Sequence, residues 1–438
     1  MVRHKTAYEL SQSQVTTPPA VVSLLWSLIH KRRSRLGSVL DMGAGDCRFA
    51  VGGNFDRYVG IEIDRNRAKE ANLPSNGRIV CNCAFRHRRV DYDAVIGNPP
   101  YVRHHDIESS WKEETTKGLE QSLGITLNKH CNLYLYFLSL GLIKTKQDGL
   151  VALLIPYEWV SRPSARTIRE YIKQQLWDVE VYRFRMPIFE GVLTTASVSI
   201  IDKGGRSGNW TFHEVSPSYQ ITKCSGVVGS NEGVLEYAAR GKVWAMRGLS
   251  PGTQKVFTLT EEERVRHGLS REDVVPCITS LRNVPRAVCG LTRKAFRKHF
   301  VESGKRCWLI KSHQGSRSKA LNAYLNSIPK AKRATYTCLL REKWFKYTPH
   351  PVPKLLVGSG FTGMGPKVLI NTIGAHAVGA IYGIHTEQRI SSLSLRRYLL
   401  GLNLENRVVA HAHTLRKVEV KQLNAVLIAY LVGIHSHG

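Results

Sequence analysis

Short apolar runs, each closed by a polar, glycine or proline residue, recur through the N-terminal half of the chain: Ser38–Leu40, Tyr58–Ile63, Arg78–Val80, Ala94–Ile96, Leu150–Ile155 and Ala196–Ile201. Runs that are apolar throughout, rather than alternating, are the mark of strands buried on both faces of a parallel sheet. Helical spacing of apolar positions predicts helices over Pro18–His30, Asn132–Ile143 and Ala165–Leu176, the first with prolines suited to an opening turn. Strand and helix in alternation predict a doubly wound α/β domain.

The rhythm stops after Ile201. The stretch Asp202–Asn209 (DKGGRSGN) reads as a surface connection. We expect two domains, residues 1–240 and 241–438, the second of mixed α+β type and less regular. Composition then changes the picture. The 438 residues carry a formal charge of +29. Between Leu281 and Tyr347 there are 17 Lys and Arg against two acids, Glu302 and Glu342, with aromatics interleaved. Such a surface suits a phosphate backbone. No apolar run reaches the ~18 residues of a membrane span, and the first residues, MVRHKTAYELSQSQ, lack the apolar centre of a signal peptide. We therefore expect a cytoplasmic protein with no membrane partner. The nine cysteines form no CxxC pair, and the His411/His413 and His435/His437 pairs have no carboxylate or thiol nearby in sequence, so no metal is expected.

Two segments carry candidate chemistry. In VLDMGAGDCRF (Val39–Phe49) a strand ends at Asp41, and Gly43 and Gly45 allow the backbone to turn sharply against a ligand. The next run, VGIEID (Val59–Asp64), ends in Glu62, placed to accept from ribose hydroxyls. The third glycine of a dinucleotide fingerprint is missing, because Cys47 and Arg48 fill that region. An adenosine-type ligand without phosphate fits better, and S-adenosylmethionine is one. The second segment, DAVIGNPPY (Asp93–Tyr101), runs a strand directly into Asn98-Pro99-Pro100-Tyr101. The two prolines fix the backbone and remove two N–H donors. The Asn98 side-chain oxygen and the Pro99 carbonyl are then two rigid acceptors suited to the two hydrogens of an aromatic amine, and Tyr101 offers a face for a base to stack on.

In these segments the sequence resembles the adenine-specific DNA methyltransferases of the gamma arrangement, in which cofactor motifs come first, NPPY next and the target-recognition domain last. The resemblance implies a class I S-adenosylmethionine-dependent, Rossmann-like catalytic domain followed by a recognition domain. It implies Thr17 of TPPAVV at the methionine end of the cofactor, Asp41 and Gly43 at the cofactor, Glu62 on the ribose, and Asn82 at the adenine amine. The family usually has Asp at the last position, and a proline where this chain has Met42. It further implies Phe189, in PIFEGVLTTASVSII, as a second aromatic wall for a flipped adenine. RGLSPGTQKVF (Arg247–Phe257) and REKWFKY (Arg341–Tyr347) resemble parts of the recognition domain. Double-stranded DNA is the implied substrate, a separately encoded restriction endonuclease the implied companion, and a monomer suffices. Two rivals share the features: a methyltransferase of RNA bases or protein glutamine, which also uses NPPY, and an inactive DNA-binding relative. Asn98 argues against cytosine, for which serine is usual at that position.

Overall fold

The computed structural model describes residues 15–189, 195–223, 237–405, 408, 410–412 and 415–435. The chain forms two compact units, residues 1–234 with 409–413 and residues 235–408 with 414–438.

The first unit is built on a nine-stranded sheet. Its strands are β1 (Leu36–Met42), β2 (Phe55–Glu62), β3 (Gly77–Cys81), β4 (Tyr92–Gly97), β5 (Thr145–Pro156), β6 (Asp178–Phe184), β7 (Ala196–Asp202), β8 (Trp210–Val215) and β9 (Ile221–Lys223). They lie in the order β3-β2-β1-β4-β5-β7-β6-β8-β9. The first five in that order are parallel neighbours, whereas β7 runs antiparallel to both β5 and β6. This is the open α/β, Rossmann-like sheet that the apolar runs predict; every one of them falls within a strand or reaches one residue past it. Both faces are covered, and the two-residue period of the strand explains why the runs are apolar without a break. Along β1 and β4, Val39, Ala94 and Ile96 point into one core with Tyr58 and Leu154, while Leu40 and Val95 point into the other with Val59 and Val151.

Helix α1 (Pro19–His30), with proline at its start, packs into the first core through Val21, Leu25, Leu28 and Ile29. Two helices cover the opposite face: α2 (Ser109–Leu123) and α3 (Leu133–Lys144). The periodicity did not reveal α2, because only Leu119 and Leu123 of its fifteen residues are buried. It stops at Gly124, whose φ of +68° is the left-handed conformation in which glycine ends helices. The third predicted helix forms over Arg166–Gln174.

The strand order reverses between β1 and β4. The chain leaves β1 toward β2 and β3 on one side, and β4 toward β5 on the other. The connections therefore part at the carboxyl ends of β1 and β4 and leave a crevice there.

The second unit has its own cores. One five-stranded sheet runs β10-β14-β12-β13-β11, formed by β10 (Val243–Arg247), β11 (Gly290–Leu291), β12 (Leu355–Gly358), β13 (Val368–Asn371) and β14 (Ile381–Thr386). A second sheet joins Thr258–Leu259, Trp308–Ile310, Val274–Ile278 and His376–Ala377. No helix among the described residues is long and apolar enough to cross a membrane, and no three His, Cys, Asp or Glu among them are grouped to hold a metal.

Candidate active site at the sheet switch point

The loop after β1 turns back on itself through left-handed residues: Gly43 at φ +77°, Gly45 at +59° and Cys47 at +60°. Gly43 and Ala44 donate their N–H groups to the Ile61 carbonyl, at 2.9 and 3.0 Å. Glu62 closes the turn. Its Oε2 accepts from the Gly45 N–H at 2.8 Å and its Oε1 from the Asp64 N–H at 2.9 Å. One side chain thus ties the glycine loop to the end of β2, and each oxygen keeps a lone pair for a ligand. Where a phosphate-binding fold would begin a helix, the chain makes one 3-10 turn, Arg48–Ala50. A helix N-terminus is the usual seat of a pyrophosphate, so this loop favours an uncharged sugar over a phosphate.

Asp41 does not line the cavity. It is fully buried beneath the loop, one oxygen accepting from the Tyr58 hydroxyl and the other, Oδ1, without a partner. Burial pushes its carboxyl up to about 7, against the pull of the Tyr58 hydrogen bond. Sequence alone places Asp41 at the cofactor; the structure places it one layer behind. Its free oxygen lies against the start of the next motif instead. Gly97 has a φ of +139°, and a Cβ there would meet Asp41 Oδ1 at 2.7 Å and the Met42 carbonyl at 3.0 Å. Only glycine lets β4 end this close to β1.

Asn98 follows, half-buried. Its Nδ2 donates to Thr17 Oγ1 at 3.1 Å and to the Val15 carbonyl at 3.4 Å. A carbonyl can only accept, so these partners fix which end of the amide is nitrogen and leave Oδ1 as the free acceptor. Thr17 is itself buried, and Arg48, held by the Asp46 carboxylate, donates to its carbonyl. The Pro99 carbonyl accepts no hydrogen bond from the described residues. Tyr101 donates its hydroxyl to the Leu154 carbonyl at 3.1 Å, and burial pushes that phenol far above its ordinary pKa. Anchored at the hydroxyl, the ring meets Tyr134 and Phe189 edge to face, at centroid distances of 6.4 and 6.1 Å. The Tyr101–Phe189 planes differ by 74°. Two rings in this contact hold nothing between them, so the sandwich expected from the sequence is shut here. Residues 190–194 of the segment that carries Phe189 lie outside the described residues.

These groups surround one cavity of about 340 Å³, lined by Thr17, Gly43, Gly45, Glu62, Asn82, Asn98, Pro99, Pro100, Tyr101 and Phe189. Asn82 caps the Cys83 N–H with its oxygen at 2.8 Å. Sequence reasoning missed the apolar wall: Ile63, Phe85, Trp111 and Phe137. Phe85 packs edge to face on Trp111 and on Phe137, at 5.1 and 5.0 Å. Ile63 sits beside Glu62 and stays 58% exposed, a position whose only sequence signal is adjacency to the acid.

Residues 56–189 match the family model of the Eco57I restriction-modification methylase, and residues 240–400 that of the C-terminal domain of the type II methyltransferase M.Eco57I. By these matches the chain resembles the Eco57I restriction-modification methylases in both of its units. Type II methyltransferase M.AccI of Acinetobacter calcoaceticus is 22% identical over 269 residues, covering 53% of this chain and 48% of the relative. M.XamI of Xanthomonas campestris pv. amaranthicola is 27% identical over 206 residues, covering 43% and 39%. The chain therefore spans about half or less of the length of these curated relatives. Among solved structures, a nuclease-deletion mutant of the type ISP restriction-modification enzyme LlaGI, in complex with a DNA substrate mimic, shares the fold with a TM-score of 0.51 at 12% identity, over 96% of this chain and 47% of that one.

S-adenosylmethionine is the cofactor that this likeness implies, and the residues present fit it. Glu62 is held by main-chain donors with free lone pairs at a sugar-sized turn, Ile63 and Phe85 offer apolar faces to a purine, and no helix terminus asks for phosphate.

Proposed function

We propose that the protein methylates the exocyclic N6 amine of adenine in double-stranded DNA, the base being rotated out of the helix into the crevice. The observation that carries this reading is the pair of acceptors at the end of β4, Asn98 Oδ1 and the Pro99 carbonyl, the first oriented by Thr17 and Val15. Both hydrogens of an aromatic amine held in such bonds draw nitrogen electron density out of the ring and toward a lone pair. When bound, S-adenosylmethionine supplies a sulfonium-activated methyl group. The chain's own tasks are then positional: Asn98 and Pro99 orient the amine, Tyr101 stacks on the base once Phe189 moves aside, and Glu62 holds the ribose. No covalent bond from protein to base is required, because a neutral amine attacks directly. The strongly basic second unit supports DNA as substrate and reads as the target-recognition domain.

The test is to incubate the protein with labelled S-adenosylmethionine and, separately, duplex DNA, RNA and a protein extract, followed by nucleoside digestion and mass spectrometry. N6-methyladenosine in its deoxy form, from the DNA arm, is the expected product. Label confined to RNA or protein, or appearing on cytosine, overturns the reading.

A further inference from the structure

Two stretches of the second unit that lie some ninety positions apart are locked together. Arg341 donates to the Pro251 carbonyl at 2.7 Å, and Thr253 Oγ1 donates to the Lys332 carbonyl at 2.5 Å. Gly252, at φ +117°, lies so close to Cys338 that a Cβ there would meet its Sγ at 2.4 Å. Cys338 is the buried residue of a short helix whose neighbours Tyr336 and Leu339 are 78% and 70% exposed. The lock brings the Arg247–Ser250 turn against Arg341–His350 and leaves an open hollow of about 620 Å³ between them. Arg247, Lys343, Lys346 and His350 line it, with Ser250, and the one acid at its edge is Glu342. Arg247, Lys343 and Lys346 are exposed and make no ion pair among the described residues. Several arginines elsewhere in this unit are neutralised locally, as Arg264 and Arg271 are by Glu261 and Arg306 by Glu263. A concave site with several unneutralised cations and a hydroxyl matches an anion of tetrahedral oxygens, and exposed apolar side chains beside it suit the sugar faces of a strand.

We propose that this hollow is a phosphodiester site, which holds one stretch of the DNA backbone against Lys343 and Lys346 and so sets the register of the duplex. This rests on the DNA reading above. Phosphate contacts release condensed counterions, and each contributes about 0.9 to the slope of log K against log salt on duplex DNA. Fluorescence anisotropy of a labelled duplex, read between low and high salt, tests it with the full chain. Lys343→Gln/Lys346→Gln should lower the slope by about 2 and weaken binding roughly 10- to 60-fold at 0.1 M salt. Glu342→Lys should change the slope by about 1 in the opposite sense. Thermal unfolding of each variant should be unchanged, since the lysines are solvent-exposed. A double variant with native slope and affinity overturns the site while leaving the functional reading intact. Wild-type protein that binds no duplex at any salt, or binds only single-stranded RNA, overturns both.

Discussion

Replacing Asn98 by alanine removes one of the two acceptors, and the structure separates its effect on rate from its effect on folding. The side chain is half-buried and makes two N–H bonds, of 3.1 and 3.4 Å. Each is worth about 0.5–1.5 kcal/mol net. The stability lost is therefore about 1–3 kcal/mol, within the usual range for a point substitution. The rate should suffer more. Deleting one preorganised partner of a developing charge costs about 2.7–4 kcal/mol, roughly 10²–10³ in kcat. Thr17→Val is the graded companion. It deletes one partner of the Asn98 amide and leaves the Val15 carbonyl in place, so about 0.5–1.5 kcal/mol of orientation is lost, roughly 2- to 12-fold in kcat. Single-turnover methyl transfer at saturating cofactor, with protein in excess of duplex, measures both. DNA affinity and Tm measured alongside check that neither has unfolded. The expected order is wild type, then Thr17→Val, then Asn98→Ala. Asn98→Ala within three-fold of wild type would refute the role of the amide. Thr17→Val falling as far as Asn98→Ala would refute the idea that Thr17 works through Asn98.

Glu62→Ala strips the Gly45 and Asp64 N–H groups of their acceptor; with the ribose contact also lost, calorimetry should show cofactor affinity down at least about ten-fold, at about 1–3 kcal/mol per orphaned buried donor, and undiminished affinity counts against the acid as ribose holder. The Asp41 carboxyl, raised by burial from 3.8 to about 7, keeps a proton in the folded chain that the unfolded chain releases. Its contribution to stability is therefore whole below about pH 4 and is lost as pH rises through 7. Asp41→Asn cannot ionise, so urea titrations should show its stability gaining on wild type between pH 4 and 8, by at most about 4 kcal/mol at 1.36 kcal/mol per pKa unit; a constant difference across that window contradicts a raised pKa. Tyr101→Phe loses only the bond to the Leu154 carbonyl and should keep most activity with a stability cost of about 1 kcal/mol. Tyr101→Ala should lose about 1–3 kcal/mol of base stacking, read as weaker binding of DNA with an abasic or mismatched target opposite; equal behaviour of the two variants would deny the ring its role.

The sheet was legible because burial on both faces leaves strands apolar from end to end, so each run could be read without knowing its neighbours. Helix α2 was not, since fifteen residues with two buried leucines carry almost no periodic signal. Strand β6 escaped for a related reason: in DVEVYRF the polar residues Asp178, Glu180 and Arg183 are only half-buried, Glu180 pairing with Arg32 and Arg183 with Glu214. In the site, residue types that do one job read well. Glycines at positive φ, an acid ending a strand and prolines after asparagine each have a narrow use. Asp41 was placed too far forward, because sequence gives the end of a strand but not which way its last side chain faces; here it turns under Gly97. Phe85, Trp111 and Phe137 were missed because aromatic residues in a helix or 3-10 turn look like core until the crevice beside them is seen.

The perpendicular contact of Tyr101 and Phe189 makes the slot a self-closing one. An aromatic pair of this geometry holds about 0.5–1.5 kcal/mol beyond its buried area. A base that slides in exchanges that contact for stacking of about 1–3 kcal/mol, so the opening cost is offset only by a full planar guest. A lone water or a side chain that wanders in offers no such exchange. On the proposed reading, the two rings that close the slot at rest would become its lining, and a free nucleoside, with no strand to anchor it, should compete poorly for entry.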